Sequence, residues 1–191
     1  MVSNLIMYHV TPNIFICDRQ KATDFETLDD NKIKGLLFLN YETKPDHVLN
    51  EYTKLGIQHY CLHVIDENGK INFGPYLDRI VKIIKHFDDK NARILIYCET
   101  GTRLSPIAVV AYIIYVHHMK KKDTDSTESI LSSALAGLRK KIRTIDIDYN
   151  FNEIAQQLVQ FENKIKERRK YNDKVNNCKE NPDVSKIFEN E

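Results

Sequence analysis

Along the chain, short apolar runs alternate with longer stretches in which apolar residues recur every three or four positions. Lys34–Asn40 (KGLLFLN), Ile57–Val64 (IQHYCLHV) and Arg93–Cys98 (RILIYC) are rich in branched and aromatic residues and bounded by polar or glycine positions, which predicts strands. Pro45–Leu55 and Tyr76–Phe87 carry helical patterns, and in the second Leu77, Ile80, Val81, Ile84 and Phe87 fall on one face. His9–Val10 and Ile14–Cys17, around Thr11-Pro12-Asn13, predict a small hairpin at a sheet edge. The nearly all-apolar run Pro106–Met119 predicts a buried helix, with Ser105 as its N-cap and Pro106 in its first turn. Two more helices are expected over about Ser126–Lys141 and Asn150–Arg168; on the latter Phe151, Ile154, Leu158, Phe161 and Ile165 align. The alternation predicts an α/β fold, a central, mostly parallel sheet flanked by helices, formed by residues 1–168. Residues 169–191 turn polar, contain Pro182, and are expected to form a mobile tail.

Composition narrows the partners. The 191 residues suffice for one domain with its own core. With 28 basic against 27 acidic residues, the net charge of +1 supplies no overall field for nucleic acid or an anionic membrane, so any anion binding must be local. Cys17, Cys61, Cys98 and Cys178 are scattered without C-x-x-C spacing, and Met1–Val10 does not read as a secretory leader. The longest apolar stretch, Ile107–Val116, is too short to span a bilayer. An intracellular protein, cytoplasmic or nuclear, is expected.

The chemistry concentrates at residues 96–106, I-Y-C-E-T-G-T-R-L-S-P, where a strand turns into a helix. Such a turn points successive backbone N–H groups into one concavity and adds the positive end of the helix dipole, a combination that binds oxyanions. A cysteine at its mouth is favoured as thiolate by the same field. Gly101 lets the loop bend tightly and brings its backbone close to a ligand. Ser105 is placed to donate its hydroxyl to the sulfur. Two readings of Cys98 follow from these residues, a nucleophile and a buried strand-end cysteine.

This stretch resembles the signature loop of the dual-specificity protein phosphatases, a branch of the cysteine-dependent tyrosine phosphatases, whose pattern is His-Cys-x-x-Gly-x-x-Arg-Ser, often followed by Pro. Cys98, Gly101, Ser105 and Pro106 fall on the family positions without a gap. The likeness extends over V-T-P-N-I-F-I-C, L-G-I-Q-H-Y-C-L-H-V-I-D, the helix through Leu77–Phe87 and F-N-E-I-A-Q-Q-L-V-Q-F-E, roughly residues 8–165. It implies Cys98 as nucleophile, a phosphate-binding loop of Cys98, Glu99, Thr100, Gly101, Thr102, Arg103 and Leu104, and no metal or organic cofactor. It also implies Asp66 as the acid that protonates the leaving oxygen, needed because an alkoxide or phenolate leaves poorly without a proton. From the residues themselves, Asp66 reads as a turn aspartate in Asp66-Glu67-Asn68-Gly69.

Two family positions are broken. Tyr97 stands where the family has histidine, and Leu104 stands where it has arginine, with Arg103 one place early. A leucine cannot fork onto two phosphoryl oxygens as a guanidinium does, and one lost oxyanion contact alone costs roughly 3–4 kcal/mol of transition-state stabilisation. A pseudophosphatase that recognises phosphorylated proteins is therefore expected; an active phosphatase in which Arg103 takes over phosphate binding is the alternative. The loop also resembles the Cys-x4-Arg loop of rhodanese-type sulfurtransferases, and I-C-D-R at Ile16–Arg19 echoes their entry motif, although the flanks are phosphatase-like. His59, Cys61 and His63 alternate on one strand and are read as packing or hydrogen-bonding residues. His117-His118 and Glu-Arg-Arg-Lys at 167–170 are read as solvated helix ends.

Overall fold

A computed structural model describes residues 7–40, 46–64, 71–120, 130–142, 145 and 151–180. Among the described residues, five strands form one sheet: β1 (Tyr8–His9), β2 (Ile14–Cys17), β3 (Ile33–Leu39), β4 (Gln58–Leu62) and β5 (Arg93–Tyr97). Their order is β1-β2-β5-β3-β4; β1 pairs antiparallel with β2 at the edge, as the hairpin pattern predicts, and the other pairings are parallel. The helices are α1 (Phe25–Asp30), α2 (Asp46–Lys54), α3 (Leu77–Asp89), α4 (Leu104–Lys120), α5 (Leu131–Lys141) and α6 (Phe151–Glu180).

Because side chains alternate across a strand, the sheet feeds two separate cores. Ile14, Ile16, Leu37, Leu39, Ile94, Ile96 and Cys98 pack with α3, α4, α5 and α6 on one face. Phe15, Cys17, Leu36, Phe38, Leu95 and Tyr97 pack on the other with Leu28 of α1 and Tyr52 of α2. Helix α4 is apolar nearly all round and lies buried among α3, α5 and α6, the position such a helix requires. Among the described residues no helix is long and apolar enough to cross a membrane.

Four expectations change. Helix α4 begins at Leu104, so Ser105 and Pro106 are residues of its first turn and Ser105 is not the N-cap; proline is tolerated there because first-turn N–H groups lack helical acceptors in any case. In the helix expected at Ser126–Lys141, Ile130 is an N-cap and the helical residues are Leu131–Lys141, while 126–129 lie outside the described residues. Helix α6 continues past Arg168 to Glu180, through residues placed by the sequence reading in the tail. Lys, Glu, Arg and Asn dominate that extension, and Arg169 faces Asp173 one turn on at 4.0 Å, a spacing that supports a helix.

The fourth change concerns the two basic clusters read as solvated. His118 is buried, its Nε2 2.8 Å from Glu162 Oε1. Glu162, 1% exposed, also meets Lys166 at 3.3 Å and accepts the backbone N–H of Ile130 at 3.4 Å. Arg169 donates to the carbonyl of His118, and Arg168 forks onto Asp78 at 2.8 and 3.2 Å. The two arginines and His118 thus bind α6 to α3 and to the end of α4. Burial pushes the Asp78 carboxyl up, but Arg168 and Lys164 outweigh it and hold it below the usual carboxylate range.

Candidate anion-binding site

β5 is the middle strand of the sheet, flanked by β2 and β3. Its carboxyl end delivers the chain into the loop 98–103, and the loop delivers it into the amino end of α4. In parallel sheets ligands bind at these carboxyl ends. Cys98 belongs to the core on the α4 face and is 1% exposed, so the thiol forms the floor of the loop. Glu99 and Thr100 are exposed, and Gly101 is buried.

The loop rests on the exit of β2. Gly101 has φ +71, and a Cβ there would lie 2.5 Å from the carbonyl carbon of Cys17 and 2.6 Å from the nitrogen of Asp18. Only glycine accommodates both the left-handed backbone and that approach. The N–H of Arg19 donates to the Glu99 carbonyl at 3.4 Å, and the two side chains pair at the same distance. Asp18 Oδ1 accepts the N–H of Lys21 at 2.7 Å and fixes the turn that follows. Sequence reasoning assigned this support no role: I-C-D-R at Ile16–Arg19 was legible only as an echo of a sulfurtransferase motif, whereas in the fold it is the seat of the Cys98 loop. Within the loop, Thr100 Oγ1 accepts from the hydroxyl of Thr102 at 3.1 Å.

Leu104 is 5% exposed and packs into the same apolar core as Ile107 and Val110, at the first residue of α4. Arg103, just before the helix, is half-buried, and its Nε lies beneath the surface. Ser105 is fully buried, and its hydroxyl has no hydrogen-bond partner among the described residues. Asp66, the acid expected from the family resemblance, lies outside the described residues. The structure thus brings Cys98, Gly101, Arg103, Leu104 and Ser105 to one strand–helix junction.

Tyr97 points to the opposite face from Cys98. Its ring stacks on Phe38 with centroids 4.7 Å apart, and its hydroxyl lies 2.9 Å from His59 Nε2. Burial pushes its phenol well above the usual range, and burial likewise pushes Tyr52, which hydrogen-bonds to Tyr97, up to about 12. Tyr52 in turn donates to the carbonyl of Ala22 at 2.9 Å and stacks on His59. The replacement of histidine by tyrosine therefore ties the strand before the loop to α2 and β4. It also gives His59 a partner within the fold.

Comparison with known proteins agrees with this geometry. Residues 14–164 match the family model for the dual specificity phosphatase catalytic domain. The fold is similar to the crystal structure of PTPMT1, with 18% identity and a TM-score of 0.69, covering 87% of this chain and 99% of that one. DUSP15 is similar at 17% identity and a TM-score of 0.65, with 85% and 93% covered. A human tyrosine phosphatase-like serine/threonine/tyrosine-interacting protein is similar at 16% identity and a TM-score of 0.60, with 82% and 95% covered. The sulfurtransferase likeness is confined to the Cys98 loop and the four residues Ile16–Arg19, while the phosphatase family model spans residues 14–164. The chain belongs to the dual-specificity phosphatase catalytic-domain family.

Proposed function

We propose that the protein is a pseudophosphatase, its hydrolytic activity lost or impaired, that binds phosphorylated proteins through the Cys98 loop. The observation that carries this reading is Leu104: at the family's arginine position the side chain is apolar and packed into the core. No guanidinium stands there to fork onto a transferring phosphoryl group. The glycine bend, the seat on Cys17 and Asp18, and the amino end of a seventeen-residue helix remain, and these favour an oxyanion without any turnover. Phosphorylated peptides immobilised beside their unphosphorylated counterparts test the reading. Retention that depends on the phosphate and is competed by inorganic phosphate is expected; equal retention of both forms would refute it.

A second reading rests on Arg103, whose Nε lies below the surface although the residue belongs to a loop. In it, Cys98 sulfur attacks phosphorus, the P–O bond to the substrate breaks, and Asp66 gives its proton to the leaving oxygen. Water, deprotonated by Asp66, then cleaves the phosphocysteine, and Arg103 holds the phosphoryl oxygens. Hydrolysis that requires both Cys98 and Arg103 separates this reading from the first.

A further inference from the structure

A second concavity lies away from the Cys98 loop. A cavity of about 340 Å³ opens between the later turns of α4, helix α5 and the turn leading into β2. Ile113 and His117, the α4 residues that line it, lie roughly 14–20 Å along the helix from Leu104 at 1.5 Å per residue. Its surface is largely apolar, with Val10, Ile113 and Leu138 contributing, and Lys141 lines it as well. Among the described residues no carboxylate does. The Lys141 ammonium donates to the carbonyl of Val10, which uses one of its three donors.

Gly137 points to a use for this space. It sits inside α5, where glycine is the least favourable residue after proline. Among the described residues nothing requires it: its φ is not positive, and a Cβ built there meets no atom outside its own helix within 4 Å. Gly137 nevertheless lines the cavity, so the missing side chain widens it.

We propose that this cavity binds a small amphiphilic anion, with an apolar body of on the order of ten carbon atoms, the size a cavity near the lower limit of ligand pockets admits, ending in a carboxylate. The apolar walls take the chain out of water. The Lys141 ammonium supplies a charge-assisted hydrogen bond at the open end, while its methylene stem extends the apolar wall. The site is independent of the phosphatase-like reading of Cys98.

Calorimetric titration of the full chain with sodium decanoate tests the proposal, with decyltrimethylammonium as the cation of equal length. Saturable binding of one decanoate is expected, at least tenfold weaker in Lys141→Met, abolished in Gly137→Leu, and unchanged in Cys98→Ser. Circular dichroism and the melting temperature establish that Gly137→Leu is folded; its helix should melt no lower than the parent's, because leucine is the better helix residue. If that variant does not fold, Lys141→Met decides. No saturable binding, equal affinity for the cation, or decanoate affinity unchanged in Lys141→Met would overturn the proposal.

Discussion

A Cβ on Gly101 would stand 2.5 Å from the carbonyl carbon of Cys17: the Cys98 loop is seated directly on the exit of β2. That contact is between backbones, so no side-chain rearrangement relieves it. Gly101→Ala must move either the loop or β2 and must also hold alanine at φ +71. A loss of about 1–3 kcal/mol is expected, seen as a melting temperature lower by several degrees, together with loss of phosphate-dependent peptide retention. Undiminished retention by a folded Gly101→Ala protein would show that the loop does not need this seat.

The Tyr97–His59 contact makes an alkaline prediction. Tyr97 and Tyr52 are neutral in the fold to higher pH than in the unfolded chain, whose phenols titrate near pH 10. Below that pH both states hold the protons and the stabilisation is complete. Above it the unfolded chain loses them first, so stability falls as pH rises from about 10 towards 12. Tyr97→Phe should cost about 0.5–1.5 kcal/mol at neutral pH through the lost hydrogen bond, and its stability should fall less steeply above pH 10. Denaturant unfolding at pH 8, 10 and 11 checks both signs.

His118 and Glu162 join the end of α4 to α6, and Ile130 brings in the start of α5. Removing one member of a buried pair leaves the other without compensation, at a cost of about 3–5 kcal/mol. Glu162→Ala should therefore lower the melting temperature by roughly 10 °C in a chain of this size. Replacing both residues, His118→Leu with Glu162→Leu, should recover part of that loss. A single variant that melts with the parent would remove the pair from the account.

The sheet and the face of α3 were legible because their patterns are local: a short apolar run bounded by polar positions in RILIYC, and period near 3.6 from Leu77 to Phe87. The Cys98 junction was legible because a cysteine, a tight glycine and a Ser-Pro helix start occur within nine residues. The support under the loop was not, since Cys17 and Gly101 meet only through parallel pairing of β2 with β5. His118 was misread for a similar reason. A histidine in the last turn of a helix ordinarily faces solvent, and only the packing of α6 brings Glu162 against it. The length of α6 was missed because a polar run carries no apolar stripe, although Lys, Glu and Arg are good helix residues.

In the proposed reading Leu104 bears on function most directly, because an apolar side chain leaves no charge at the place where a phosphoryl transition state would need it. Loss of such stabilisation costs on the order of 3–4 kcal/mol even for a single contact, a factor of about 10² to 10³ in rate. Steady-state hydrolysis of an aryl phosphate by the full chain, with Cys98→Ser measured beside it, is the decisive measurement. The account predicts that release dependent on Cys98 is absent or at least about a hundredfold slower than that of a family member with arginine at this position. Cys98-dependent release by the parent as fast as such a relative's would contradict it.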